Sequence, residues 1–383
     1  MSSNNRIFYA CQGVAISNIG DSGNYETGIG AASMVHGVQS VSMTTTFNPE
    51  QAFELGQIEI YENIEGTPDI EVSIEKAIDG YPLVYHMATT GVSGGSAANS
   101  GLTNRSKQQC DLRLGIFDEG SNNIGSATDN DGRAEVEVYC SGMFVGSVGY
   151  TIPVDGFATE SVSLVGNNKQ WLTGNNVCIS GGANEFDGSD SPLALGVPGA
   201  PSGGIQRRED VMMNKSIFPV SVRGVAGSGV GNGQVAVSAG QVAGDSGNAI
   251  HVQNVSINTD FSREDIFELG KKTPFYRPAG FPIEVTCEIE AITASGDFVF
   301  AYENGDPALD GTVSSGNNTQ EENIFIELRG GHAFDLGAKN RLTSVSYGGG
   351  DATGGNVSTS YSYTNFNDLD VQFHGDYIGF NQI

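Results

Sequence analysis

The side chains that could do chemistry are few in this chain of 383 residues, and their spacing matches no catalytic or metal-binding motif. The five histidines are scattered, and no Cys-x-x-Cys pair occurs among the five cysteines, so neither a zinc site nor a redox centre is predicted. Motifs of zinc peptidases, serine hydrolases and nucleotide-binding loops are missing from the sequence. We therefore expect no catalytic residue, no cofactor and no metal ion.

Two acidic stretches have some of the features of a cation site. Asp129–Gly132 reads Asp-Asn-Asp-Gly, as in a calcium loop, but that register places Ala127 and Val138 where calcium needs carboxylates. The calcium match therefore fails. The cluster from Asn184 to Asp190 stays a weak candidate for an ion site.

The charge balance argues against one class of partner. The chain has 45 acidic and 18 basic residues, and its net charge is −27. Because such a surface repels phosphate, we do not expect binding to nucleic acid through a basic patch. The acidity has two interpretations: it keeps the protein soluble, or it prevents adhesion where the protein works beside DNA.

Arg207 and Arg208 are conspicuous because basic residues are so rare. They lie in the stretch 167–214, which has no sustained periodicity and contains the single tryptophan, Trp171. This stretch is long for a passive link inside a compact domain. One interpretation is a solvated loop. The other places Arg207, Arg208 and Trp171 in a subunit interface, where arginine would pair with carboxylates of a neighbouring chain.

An internal repeat organises the elements that position these residues. Val38–Gly56 and Val252–Gly270 align without a gap and agree at 11 of 19 positions. Unrelated segments would share about one position, so the two stretches are predicted to be copies of one unit.

Local signals predict a strand and then a short helix in each copy. Asn48 and Ser262 have the residue type and the following neighbours of a helix N-cap. Gly56 and Gly270 suit the left-handed position that ends a helix, so each helix would have about two turns. A further short strand is predicted at Tyr81–Tyr85.

A strand of alternating apolar and acidic residues follows each predicted helix. Ile70–Glu75 and Ile283–Ala291 have the period of two that is typical of a half-buried strand. One face of each strand is then acidic, with Glu71, Glu75, Glu284, Glu288 and Glu290 as its carboxylates.

Composition indicates an all-β protein, with 54 glycines, 12 prolines and no long helical pattern. We predict a mainly antiparallel β-sandwich or barrel with one short helix per unit, in two tandem copies. The first unit is predicted at 1–166, a connecting arm at 167–214 and the second unit at 215–383. No apolar run has the length of a signal peptide or a membrane span, which favours synthesis in a reducing cytoplasm.

Two such units, each with β-strands, a short capped helix and a Gly-rich hairpin, resemble the tail tube proteins of long-tailed bacteriophages. The stretches Gly156–Lys169 and Gly204–Asp210 are similar to sequences of such tubes. The resemblance implies a structural virion protein that forms stacked rings around a hollow tube, through which DNA is delivered to the host. A tandem duplication is similar to tubes in which three two-domain chains imitate a hexamer, and a ring of six chains is the alternative.

The resemblance also implies partners and a location. The partners are copies of the chain itself, in a homotrimeric or homohexameric ring, and other tail proteins such as a terminator, a baseplate or a sheath. DNA would pass without specific binding, and no membrane is involved. The protein would be assembled in the bacterial host cytoplasm and reside in the virion tail. The five strand glutamates would form an acidic inner or inter-subunit face that keeps DNA from adhering.

Three other functions remain open at this point. The first is another virion part, such as a capsid decoration or baseplate component. The second is a carbohydrate-binding, adhesin-like protein, which should have exposed aromatic clusters in its loops, whereas these loops are rich in Gly, Ser and Asn. The third is an enzyme on a duplicated β-fold.

Overall fold

Strands dominate the part of the chain that the computed structural model describes, which confirms the all-β class. The described residues are 12–18, 33–56, 58–90, 101–117, 134–174, 177, 179–180, 193–194, 204–213, 237–238, 251–292, 321–348 and 357–373. The strand pairs among them are antiparallel apart from one short parallel pair. No helix in these ranges is long and apolar enough to cross a membrane.

The elements up to residue 213 fall into strands, two short helices and one 3-10 turn. In chain order they are β1 (Gln12–Asn18), β2 (Ser33–Met34), β3 (Val38–Thr46), β4 (Glu50–Phe53), β5 (Ile60–Ile64), β6 (Asp69–Ala77), α1 (Val84–Thr90), α2 (Leu102–Arg105), β7 (Cys110–Ile116), β8 (Val136–Pro153), β9 (Thr159–Gly166), β10 (Asn168–Thr173), β11 (Ile179–Ser180), β12 (Leu193–Ala194), the 3-10 helix Arg208–Asp210 and β13 (Val211–Met213).

The described elements after residue 213 are strands. They are β14 (Val237–Ser238), β15 (His251–Asp260), β16 (Glu284–Ile292), β17 (Glu321–Glu322), β18 (Phe325–Leu328), β19 (His332–Asp335), β20 (Asn340–Gly348), β21 (Ser358–Phe366) and β22 (Asp370–Phe373).

The long strand β8 is the centre of the largest sheet. Its first half pairs with β7 and β10, and its second half pairs with β9 and β15. Gly142 lies between the halves with φ of 66°, a left-handed conformation that glycine adopts without strain. A separate five-stranded sheet has the order β14-β13-β18-β19-β22, and the hairpin of β4 and β5 pairs only with itself.

The same order of strand pairing occurs twice within the large sheet. In the first half of the chain the order is β3-β6-β9-β8, and in the second half it is β15-β16-β21-β20. Even the irregularities recur: the bulge at Gln39 in β3 matches one at Gln253 in β15, and the bulge at Gly146 in β8 matches one at Thr343 in β20. These bulges give a residue-by-residue correspondence between the two four-stranded sheets.

One hydrophobic core serves both halves of the chain. The helix α1 and the five-stranded sheet cover the apolar side of the large sheet, and residues Val84–Thr89 of α1 are all buried. Tyr150 of β8 packs on Phe334 of β19, with ring centroids 4.5 Å apart. Val72 of β6 and Val285 of β16 belong to the same cluster of buried side chains. The two halves of the chain are therefore packed together through a common core.

Glu160 fixes the beginning of α1. This fully buried residue of β9 accepts hydrogen bonds from the N–H groups of Val84, at 2.6 Å, and Tyr85, at 3.1 Å. The first turn of α1 contains no acidic residue, so Glu160 supplies the acceptors that a helix N-terminus needs and, where it is ionised, a negative charge as well. Burial raises the pKa of Glu160 to about 7, although the two hydrogen bonds and nearby Lys76 oppose the shift.

Lys76 is a second buried charge, at the end of β6. Its ammonium group donates to Asp79 Oδ1 and to the carbonyl oxygen of His36, both at 2.7 Å. A buried charge that loses its partner is strongly destabilising. The pair therefore fixes the segment from Lys76 to Asp79, where the chain passes out of β6.

The helices predicted after the repeated strands are wrong. Glu50–Phe53 forms the strand β4, and residues 262–270 form an irregular loop. Helix-cap signals are local, whereas β4 is hydrogen-bonded to β5, and Ile266 exchanges backbone hydrogen bonds with Tyr276 and Phe275. These non-local partners satisfy the backbone groups that a helix would otherwise pair internally.

The repeated glycines do have the predicted backbone. Gly56 and Gly270 have φ of 96° and 90°, but each lies in a turn and not at the end of a helix. The strand predicted at Tyr81–Tyr85 is also wrong, because α1 begins at Val84, where the distant Glu160 supplies its first acceptors.

Glu160 should make stability depend on pH in an unusual direction. Its folded pKa, about 7, lies above the ordinary value of 4.5, so the folded state holds a proton that the unfolded state releases between these pH values. This contribution is therefore present at low pH and is lost as pH rises through 7. Between pH 5.5 and 8, the unfolding free energy of wild type should fall by on the order of 1–3 kcal/mol relative to that of Glu160→Gln. Urea unfolding at each pH measures it.

Glu75→Gln is the matched control, since Glu75 is exposed on the neighbouring strand β6. The difference in unfolding free energy between Glu75→Gln and wild type should stay constant over the same pH range. A constant difference for Glu160→Gln as well would contradict the assignment of this titration to Glu160.

Candidate assembly surfaces

The strands β8 and β15 form a joint between the two halves of the chain. They pair antiparallel over seven positions, from Asn254 opposite Pro153 to Asp260 opposite Ser147. Phe261 extends the joint, because its N–H donates to the carbonyl oxygen of Gly146 at 2.9 Å and its side chain is fully buried.

Arg263 closes the end of this joint. Its Nε donates to the carbonyl oxygen of Val145 at 2.9 Å, and its guanidinium carbon lies 4.9 Å from the ring centroid of Phe144 and 5.3 Å from that of Phe261. A weakly hydrated guanidinium over aromatic faces gains cation–π attraction while the backbone acceptor is satisfied. Backbone pairing, a buried aromatic and a stacked cation together hold the two halves.

The described strands β3-β6-β9-β8-β15-β16-β21-β20 form one eight-stranded array. Its two end strands, β3 and β20, correspond to β15 and β8 of the joint, and each has an outer edge that lacks a described partner over all or most of its length. Among the described residues, β3 pairs with β6 along one edge and with no strand along the other. At the far end, β17 pairs with β20 only at Asn340 and Arg341, so the outer edge of β20 has no described partner from Leu342 to Gly348. An unpaired edge offers N–H and C=O groups to another strand.

The face of the eight-stranded array opposite the core is polar and acidic. The strands β6 and β16 alternate buried apolar residues with glutamates that are exposed or, at Glu290, half-buried, as predicted. The glutamates on this face are Glu71, Glu75, Glu284, Glu288 and Glu290. Neighbouring strands add small hydroxyl side chains, and these bind two of the carboxylates: Ser40 donates to Glu75 at 3.3 Å and Ser360 donates to Glu288 at 3.1 Å.

Two loops project from one end of the array. Residues 47–68 connect β3 to β6, and residues 261–283 connect β15 to β16; since β3 and β15 run in the same direction, both loops leave the same end. Leu55 and Leu269, the equivalent residues of the repeated Phe-Glu-Leu-Gly sequence, are fully exposed. Such exposure of a repeated apolar residue is a sign of a contact surface.

The bases of the two loops are built alike. Gly66 and Gly280 lie against the backbone of Asn48 and Ser262, so that an added Cβ would come within 1.9 Å and 2.9 Å of the respective carbonyl oxygens. Only glycine allows this approach, and it closes both loops at the same position.

The loops carry more aromatic residues at their surface than the sequence analysis expected. The exposed aromatic side chains of these loops are Phe47, Phe53, Tyr61, Phe267, Phe275 and Phe281. The low aromatic content assigned to the loops was therefore wrong for these two. Exposed aliphatic residues, including Ile60 and Ile64, lie among the rings. Such a mixture is typical of the centre of a protein–protein interface.

Arg207 and Arg208 are exposed and lie at the end of the array opposite the two loops. The adjoining Gln206 accepts a hydrogen bond from Ala158 and donates one to Ile78, which flank the ends of β9 and β6. Trp171 lies elsewhere, on β10, and is 62% exposed. The structure therefore does not bring Trp171 together with the two arginines or with the acidic face.

The segment 204–213 joins the two units. Gln206 is buried, and its Oε1 accepts a hydrogen bond from Gly330 N–H at 2.8 Å. Asp210 forms an ion pair with Arg329 at 3.7 Å, and β13 then pairs with β18. This part of the predicted connecting arm is built into the five-stranded sheet.

No group of three or more His, Cys, Asp or Glu side chains within the described ranges is arranged to hold a metal ion. The two acidic stretches considered from the sequence, Asp129–Gly132 and Asn184–Asp190, lie outside those ranges.

The edge strand β20 is not among the strands predicted from the sequence. Its signal is an alternation of Val345 and Tyr347 with serines, but the bulge at Thr343 shifts Leu342 out of that alternation. The signal that could have found β20 is a second, weaker repeat. When Thr343 is aligned with Gly146, Ser344, Val345 and Tyr347 match Ser147, Val148 and Tyr150 of β8.

A scan of protein-family models and a comparison with curated proteins give no match. Among solved structures, part of the chain is similar to the protein in "Cryo-EM structure of the anti-feeding prophage cap (AFP tube terminating cap)". The identity is 13% and the TM-score 0.30, over 45% of this chain and 95% of that chain.

Two further solved structures give similar values. One is the "Cryo-EM structure of the anti-feeding prophage (AFP) baseplate, 6-fold symmetrised", with 10% identity and a TM-score of 0.30, over 45% of this chain and 98% of that chain. The other is the "Crystal structure of Hcp protein", with 9% identity and a TM-score of 0.21, over 43% and 98%. TM-scores of this size do not establish a shared overall fold.

Proposed function

We propose that this protein is a structural subunit of a phage-type tail, and that its copies form stacked rings around a hollow tube through which DNA passes. The observation that carries the proposal is the eight-stranded array. It repeats one pattern of pairing, joins its halves strand to strand, and ends on both sides in a strand whose outer edge has no partner among the described residues over all or most of its length. An array of this kind grows by adding copies of itself, and a ring is the closed form of such head-to-tail growth.

The dimensions suit a tube. Strands in a sheet lie about 4.8 Å apart, so the array spans roughly 38 Å of circumference. Three chains would then close a barrel roughly 35–50 Å across between backbones, depending on strand tilt. This proposal adopts the ring of three chains, in which the duplicated halves act as six equivalent units.

The acidic face suits the inside of that barrel. The core, α1 and the five-stranded sheet lie on the other side of the array, so closing the array around its polar side keeps the bulk of the protein outside. Glu71, Glu75 and the carboxylates of β16 would then line the channel. A lumen of this charge repels the phosphates of passing DNA, so that the duplex moves without adhering.

The two ends of the array suit stacking. The projecting loops at one end carry exposed carboxylates, including Glu54 and Glu62, together with Leu55 and Leu269. Arg207 and Arg208 lie at the opposite end. Stacked rings would bring the loops of one ring to the arginines of the next, where arginine pairs with carboxylate beside apolar contacts. Terminator and baseplate proteins would bind the same two ends, and no catalytic role is proposed.

Electron microscopy of the purified protein, concentrated at modest salt, tests the tube. We expect hollow rods or stacked rings with a central channel, because the open edges have no other partner among the described strands. End views should average with three-fold symmetry. Discrete particles without a channel would reject the tube and favour a decoration or binding protein.

Reversal of the two arginine charges tests stacking. Arg207→Glu with Arg208→Glu should leave rings intact but shorten the rods several-fold, because both residues are exposed and make the proposed contact between rings. Lys271→Glu with Lys272→Glu carries the same charge change on a projecting loop, where both cations are 60% exposed. Rods of this variant should not be shortened, because the change adds carboxylates to the surface that would face the arginines. Rods of wild-type length for the arginine variant would contradict this role.

A further inference from the structure

We infer that β20 of one chain pairs antiparallel with β3 of the next chain, in the register that β8 and β15 use inside the chain, and that Phe47 is the side chain buried at this contact. This inference rests on the proposed self-assembly and specifies its residues. The partner is a second copy of the same chain.

The register follows from the recurring bulges. Thr44 lies five residues after the bulge in β3, as Asn258 does in β15, and these two residues pair with equivalent positions of β6 and β16. Ser346 lies three residues after the bulge in β20, as Gly149 does in β8. Because Asn258 is paired with Gly149 within the chain, Thr44 is placed opposite Ser346 of the neighbour.

The same correspondence places the other residues of the contact. Met43 falls opposite Tyr347, Thr45 opposite Val345 and Thr46 opposite Ser344, because their counterparts are paired in the internal joint. The two strands have no charged residue and no proline from Ser40 to Thr46 and from Leu342 to Gly348. Nothing in these stretches opposes the addition of a strand.

Burial differs at equivalent aromatic positions, and the difference marks the missing neighbour. Tyr150, on β8, is 1% exposed, whereas its counterpart Tyr347 on β20 is 68% exposed. Phe261, after β15, is completely buried, whereas its counterpart Phe47 after β3 is 73% exposed. Each edge therefore exposes the aromatic residue whose counterpart is buried in the middle of the array.

The contact at Phe47 can be specified to the atom. In the internal joint Phe261 N–H donates to the carbonyl oxygen of Gly146, and Thr343 is the counterpart of Gly146 in β20. Phe47 N–H should therefore donate to the carbonyl oxygen of Thr343 in the neighbouring chain. Its ring would then leave water and pack on the neighbour's core.

A disulfide between Thr44→Cys and Ser346→Cys tests the register. Directly opposed residues in an antiparallel pair have Cα atoms about 4.5–5.5 Å apart, within the range that a disulfide spans. We expect oxidation of assembled protein to give covalent multimers, ending at a trimer if three chains close the ring. A link within one chain is excluded, because β3 and β20 lie at opposite ends of the array.

The matched control shifts the pair by two residues. Thr44→Cys with Ser344→Cys places the same kind of side chains on the same edges, but at diagonal positions about 7–8 Å apart, beyond the reach of a disulfide. The unmodified chain, whose Cys110, Cys140 and Cys287 are buried, and the single variants give the background. Equal linking of the shifted pair, or none of the aligned pair in any sample, would overturn the register.

Phe47→Ala tests the buried aromatic. Introduced into the Thr44→Cys, Ser346→Cys chain, it should reduce the rate of interchain disulfide formation roughly tenfold or more, because the contact loses most of a buried phenylalanine. The melting temperature of the dissociated chain should not change, since Phe47 is mostly exposed there. Phe53→Ala, on β4 and 67% exposed, is the control and should link at the unaltered rate. Equal rates for the two variants would reject the role of Phe47.

The results separate this inference from the proposed tube. Hollow tubes whose chains do not link through the aligned pair would reject the register but keep the tube. Linked multimers that form open filaments without a channel would keep the register and reject the tube.

Discussion

Backbone pairing between β8 and β15 is the interaction on which the rest of the structure depends. It turns two four-stranded sheets into one array, and it places the aromatic ring of Phe261 and the guanidinium of Arg263 against β8. Without it the chain would carry two more unpaired edges, each a site for uncontrolled association. The joint therefore protects the middle of the chain and leaves the ends of the array available.

The joint is held at a fixed angle by groups away from the array. Gln206 binds Ile78 and Ala158 of the first unit and Gly330 of the second, and it is completely buried. Because a buried polar group that loses its partners is costly, these bonds resist sliding of one unit on the other. In the proposed ring, the resistance to sliding would help to fix the curvature of the array, on which the number of chains that close the ring depends.

Much of the array could be predicted from local patterns in the sequence. The acidic strands were found by their period of two, which alternates apolar residues with Glu71 and Glu75 in β6 and with Glu284 and Glu288 in β16. These features depend on neighbours along the chain. The helices predicted after β3 and β15 failed because cap signals at Asn48 and Ser262 are local, whereas the backbone there is paired with distant residues.

The assembly surfaces could not have been predicted from either copy of the repeat alone. Phe47 and Phe261 occupy the same position in nearly the same sequence, yet one is exposed and the other is buried. Residue type carries no information about this difference, which comes from the strand that lies beside each copy. The sequence repeat shows that the two positions are alike, whereas of β3 and β15 only β15, beside Phe261, has a described neighbour on both edges.

The distribution of charge limits nonspecific association through the strand edges that have no described partner. Natural edge strands are often blocked by lysine or proline, but Ser40–Thr46 and Leu342–Gly348 contain neither. The strongly negative surface takes over part of that protection, because it opposes contact between chains in most orientations. The register derived from the internal joint brings uncharged edges together while the glutamates of β6 and β16 stay on the polar face. In the proposed assembly, repulsion over most of the surface and neutrality at the two edges would favour one way for chains to meet.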